Sequence, residues 1–116
     1  MAAKKSSIKK PVLPVEEILI PELADEPVKF VCQLQPEVDQ LTEQSKANGN
    51  VGWSVILAYK CIQDDDNDSI FTIKEWSVFQ AANRALWEEE IVPILMRVNG
   101  FDRAANKKKL SNQKSG

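Results

Sequence analysis

Apolar and polar positions alternate near the start of this chain and recur at helical spacing through the rest. In VKFVCQL (28–34), Val28, Phe30 and Cys32 alternate with Lys29 and Gln33, the two-residue period of a half-buried strand. The preceding segment VEEILI (15–20) is short and rich in β-branched residues, and Pro21 stops it. ELADEP (22–27) reads as a turn between them, so the two segments predict a small β-hairpin. A lone hairpin is marginal in water and needs a helix to pack on.

Helical spacing begins near Pro36, a good first-turn residue, followed by acidic Glu37 and Asp39. Val38, Leu41 and Ser45 mark one face of this helix, and ANGN (47–50) ends it. Residues 51–63 are the most apolar stretch. Val51, Val55, Ala58, Tyr59 and Ile62 form a helical stripe that Trp53, Ile56 and Leu57 widen, which predicts a central helix. After the polar turn DDDNDS (64–69), Thr72 and Glu75 stand at capping-box spacing. Ile73, Trp76, Phe79 and Ala82 then share a face. Asn83 is placed to cap a last helix over 84–98, whose apolar side includes Leu86, Trp87, Ile91, Leu95 and Val98. Pro93 lies inside that helix and should kink it. Asn99-Gly100 is a natural stop, after which Phe101 can fold back onto the core.

The expected fold is mainly α: a small helical domain of about four helices over residues 15–101, with a short N-terminal β-hairpin. It is flanked by disordered basic tails, 1–14 and 102–116. The 116 residues suffice for one core and leave little for a second.

Composition narrows the chemistry. There is no histidine, so triad hydrolysis has no base and an ordinary zinc site no imidazole. The glycines, Gly49, Gly52, Gly100 and Gly116, are too scattered to cradle a phosphate. Cys32 and Cys61 sit among apolar neighbours and read as buried thiols in a reducing compartment. No apolar run reaches the roughly 18–20 residues of a membrane span, and the basic start lacks the apolar stretch of a secretory signal. The expectation is a cytosolic protein that is not an enzyme, with no catalytic residues, no cofactor and no assigned metal ligands.

The net charge of −2 hides a segregated pattern. Lys4, Lys5, Lys9 and Lys10 crowd the first ten residues. Arg103, Lys107, Lys108, Lys109 and Lys114 crowd the last fifteen, against Asp102. The tails together carry about +8 and positions 11–101 about −10. Such tails suit an acidic surface, a partner's or a neighbouring copy's. Nucleic acid is disfavoured, because the acidic body repels phosphate and neither tail interleaves aromatics with its lysines.

One local pattern resembles a cation loop. Asp64, Asp66 and Asp68 fall at positions one, three and five of a twelve-residue calcium loop, and Glu75 at position twelve. Against this, position six is Ser69 rather than glycine, position seven is the large apolar Ile70, there is no second loop, and Glu75 has a capping role to play. A single EF-hand-like, calcium-responsive binding module is therefore the alternative reading.

The order of segments carries a resemblance. A short β-like segment precedes EPVKFVCQLQPEVDQLTEQ, an apolar helix follows, and an acidic turn leads into SIFTIKEW. A helix ending in VNGF and the tail AANKKKLSNQKS close the chain. This arrangement, over roughly residues 15–112, resembles the tail assembly chaperones of long-tailed (siphovirus-type) bacteriophages. The resemblance lies in arrangement and not in a diagnostic motif. It implies a mainly helical protein of the host cell cytoplasm, absent from the finished virion. Such a protein coats the tape-measure protein, keeps it soluble and helps recruit the tail-tube protein. It also implies self-association into spirals and a longer, frameshifted form of the same chain. Trp53, Trp76 and Trp87 are candidate anchors for these contacts, since tryptophan is enriched where interfaces draw their energy. Trp87, beside the acidic run Glu88-Glu89-Glu90, is the expected interface residue.

Overall fold

The structure is a computed structural model and describes Ala2 and residues 4–101. Strands β1 (Val15–Ile18) and β2 (Val28–Val31) pair antiparallel, Val15 opposite Val31 and Ile18 opposite Val28. Helices α1 (Gln35–Asp39), α2 (Leu41–Ala47) and α3 (Trp53–Cys61) follow, and then a two-residue strand β3 (Ile62–Gln63). After α4 (Ile73–Ala82), a last helical stretch comprises α5 (Arg84–Leu86), a π-helical turn (Trp87–Ile91) and α6 (Val92–Val98). β3 pairs antiparallel with β2, so the sheet order is β1-β2-β3.

Helix α3 is the centre. Val55, Ile56, Leu57, Ala58 and Cys61 are all buried, because α2, α4, α6 and β2 surround it. The sheet adds Val28 and Phe30 from one face of β2. Gly52 turns the chain into α3 at φ +101°, a conformation that side chains with a Cβ resist, and its N–H donates to the Ser45 hydroxyl at 2.8 Å.

A cluster of aromatic rings fills the space between α3, α4 and the π turn. Trp76 meets Phe71 edge-on at 4.9 Å between centroids, Phe79 at 5.6 Å and Trp87 at 5.9 Å, within the favoured range for ring pairs. Trp87 Nε1 donates to Ser54 Oγ at 3.2 Å. The buried Trp76 Nε1 has no hydrogen-bond acceptor among the described residues.

Local chemistry sets the ends of the elements. Thr72 Oγ1 accepts from the Glu75 N–H at 3.1 Å, and Glu75 accepts from the Thr72 N–H at 3.0 Å, completing the capping box expected for α4. Beyond α6, Gly100 takes φ +75°. Its N–H donates to Arg97 O, and the Phe101 N–H donates to Met96 O, a Schellman stop. Asn99 joins three elements there. It accepts from the Gln33 N–H at 2.7 Å and donates to Leu95 O and Cys61 Sγ. Glu16 of β1 forms an ion pair with Arg97 of α6 at 2.6 Å, and Lys60 of α3 pairs with Glu37 of α1.

Several expectations change. The fold is helix-rich but includes a three-stranded sheet rather than a hairpin alone. The third strand comes from the end of the helix expected over 51–63, where Ile62 turns extended to pair with Phe30. The helix expected from Pro36 is interrupted at Gln40. Asn83 does not cap the last helix; its side chain donates back to Phe79 O and closes α4. Pro93 acts through a π turn, in which the Val92 N–H donates to Trp87 O five residues back. Proline has no N–H to give Glu89 O and its ring crowds that carbonyl, so the wider turn just before it relieves the conflict. Within the N-terminal segment, residues 4–14 are exposed and largely extended, with one 3₁₀ turn at Lys5–Ser7. The expectation for 102–116 lies outside the described residues.

Candidate functional site

Burial pushes the Cys61 thiol up to about 11, so it holds its proton at neutral pH and is a poor nucleophile. Cys32 is half-buried, and the two are not joined in a disulfide. In the acidic turn the Asp64 carboxylate accepts from the N–H groups of Asp66 and Asp68, at 2.8 and 3.1 Å, and so organises its own loop. Asn67 takes φ +65° there, a left-handed position that asparagine tolerates. Glu75 is committed to Thr72, and Ser69 Oγ donates to Phe71 O. Asp64, Asp66, Asp68 and Glu75 are thus near in sequence, yet no cluster of three or more His, Cys, Asp or Glu suited to a metal ion forms among the described residues.

The tryptophans divide sharply. Trp87, the expected interface residue, is fully buried in the aromatic cluster, as is Trp76. That expectation is corrected: the acidic run beside Trp87 faces out, while the indole faces in and bonds Ser54. Trp53 is the exposed one, at 43%. The available signal was position. Trp53 opens α3 directly after the connecting residues 48–52, and the first residue of a central helix lies at the rim of the core.

Around Trp53 lies a shallow groove of about 290 Å³, lined by Val38 of α1, Leu41 and Thr42 of α2, Leu57 of α3, Met96 of α6 and Phe101. The Schellman stop turns the chain so that Phe101 forms one wall. Leu34, 61% exposed, stands one turn before Val38. The Lys60–Glu37 ion pair fastens α1 to α3, the two elements on either side. A second apolar groove, of about 460 Å³, runs along α4 between Phe71, Val78, Phe79 and Ala82, with Lys74 and Glu75 at its rim. Lys74 and Glu75 are the titratable side chains lining the α4 groove, and both grooves offer apolar surface of the kind that docks another chain.

At the far side, the Arg97 hydrogen bonds hold the Glu16 carboxyl below its ordinary value of 4.5, with the guanidinium charge adding to the effect. This pair clamps the edge of the sheet to α6. Compared with protein-family models, with curated proteins and with solved structures, the chain matches none.

Proposed function

We propose that the chain is a non-enzymatic assembly chaperone of the long-tailed phage type. It holds the tape-measure protein soluble in the host cytoplasm and helps recruit the tail-tube protein. It self-associates on that client, works beside a longer frameshifted form of itself, and leaves before the virion is finished. The observation that carries this reading is the Trp53 groove. Once the core is full, Trp53 remains 43% exposed at the junction of four helices, above the buried Leu41 and Leu57 and beside the half-buried Val38, Met96 and Phe101. A long helical client presents apolar side chains at i, i+3, i+4 and i+7, the pattern that such a groove accepts. An exposed tryptophan at the centre of the contact supplies affinity with few rotatable bonds.

Co-expression with a candidate tape-measure protein, the long, helix-rich chain this reading expects to be encoded next to it, tests this. The client should stay in the supernatant with the wild-type chain and precipitate with Trp53→Asp, while the variant keeps the wild-type circular dichroism. A client that precipitates equally with and without the wild-type chain removes the proposal.

A further inference from the structure

We propose that residues 4–14, an N-terminal arm, dock in the α4 groove of a second copy of this chain. The inference deepens the self-association in the reading above, and it holds or fails without any client present.

The arm carries apolar side chains that its own body leaves in water: Ile8 is 60% exposed and Val12 86%. Pro11 and Pro14 bracket Val12 and Leu13 and bias them toward extended backbone, so little conformational freedom remains to be lost on docking. Lys4, Lys5, Lys9 and Lys10 flank Ile8 and precede Val12 and Leu13.

The groove has the complementary character. Phe71 and Phe79 line it from beneath, exposed Ala82 and Val78, the latter 62% exposed, stand beside them, and Lys74, Glu75 and Asn83 complete the lining. Phe71 also lines a neighbouring crevice whose walls include Glu26, Asp64 and Asp65, so acidic side chains continue from the apolar floor. A strip that is apolar along α4, with Lys74 and Glu75 beside it, and acidic at the Glu26, Asp64 and Asp65 end matches an arm that is basic over residues 4–10 and apolar at Val12 and Leu13.

Direction argues for a neighbouring copy. The arm joins β1 at Val15, which pairs with Val31. The groove lies toward the other end of the hairpin, where Val28 lines the crevice that holds Phe71. The arm therefore leaves its own sheet at the end remote from its own groove, and must double back across the hairpin to reach it. A second molecule needs no such reversal. Because arm and groove are different surfaces, the growing array keeps one free arm and one free groove after every addition, and the contact propagates as an open array unless its rotation closes.

Sedimentation velocity on the full chain and two variants tests this. One variant lacks residues 2–12, which keeps the Pro14 carbonyl that accepts from Cys32 N–H. The other is Val78→Glu, a surface change outside the core. The wild type should grow in mass with concentration, and each variant alone should remain a monomer. An equimolar mixture of the two should form one-to-one pairs and stop there, since it holds one usable arm and one usable groove. Oligomers that persist without residues 2–12, or a wild type that stays monomeric at every concentration, overturn the proposal. An unchanged mass with faster amide exchange in α4 on removing the arm assigns the groove to the molecule's own arm, and overturns it equally.

Discussion

Trp87 and Trp53 are both indoles at the start of a helical segment, and both lie against α3. Trp87 is enclosed by Trp76 and Phe79 and bonded to Ser54, whereas Trp53 looks across Leu41 and Leu57 into an open groove. The difference arises from what covers each side of α3. Helix α4, the π turn and Phe71 of the loop before α4 close over one side with four aromatic rings. The short α1 and α2 cover the other only in part, because the helix that would have shielded it breaks at Gln40. The same residue type is structural on the closed side and available on the open one. Hydrophobicity marks both, and only the neighbouring element decides which is which.

The comparison breaks first if the two tryptophans prove equivalent. Trp87→Ala should cost roughly 3–5 kcal/mol through the cavity it leaves. That is a large share of the roughly 5–15 kcal/mol that holds such a domain together. Trp53→Ala should cost well under that, about 1 kcal/mol or less. Urea denaturation followed by circular dichroism measures both, and equal losses would refute the division into closed and open sides. A smaller effect should come from the closed side's own framework. Thr72→Ala removes the cap that starts α4 and should lower stability by about 1 kcal/mol, leaving client solubilisation by the Trp53 side unchanged.

The smallest effect lies in the clamp between sheet and α6. Because Glu16 titrates below 4.5 in the folded chain, its pairing with Arg97 contributes fully above that value and is lost as pH falls through the lowered one. Both partners are largely exposed, so the contribution should lie within about 1 kcal/mol, and salt should shrink it further. Stability measured from pH 6 downward should therefore fall slightly less steeply in Arg97→Met than in the wild type.

What could be read from the chain in advance was whatever is decided locally. The alternation of buried Val28 and Phe30, the Thr72–Glu75 pair and Asn99-Gly100 each involve residues within a few positions of one another and form as expected, while the strand expected over 28–34 ends at Val31 and leaves Cys32 half-buried beyond it. The strand at Ile62–Gln63 was hidden, because pairing with β2 over some thirty intervening residues outweighs the helical spacing of a terminal pair. The roles of Trp53 and Trp87 were hidden for a related reason. With α3 apolar on nearly every side, periodicity points nowhere, and the exposed face depends on how far α1 and α2 happen to extend. The Asp64–Glu75 spacing and the capping role of Glu75 were legible, but the commitment of Asp64 to the amides of Asp66 and Asp68 is a matter of geometry.

Asn99-Gly100 carries a consequence for the chemical lifetime of the molecule. An asparagine followed by glycine ages by attack of the next backbone nitrogen on the side-chain amide, which ends in deamidation. Here that nitrogen donates to Arg97 O, and the amide itself is held by Gln33, Leu95 and Cys61. The folded chain therefore protects the bond, and the ageing clock runs only while the end of α6 is open. Once deamidated, the new carboxylate could no longer donate to Leu95 and Cys61, so a single long opening would leave a lasting mark on the joint between sheet and helices.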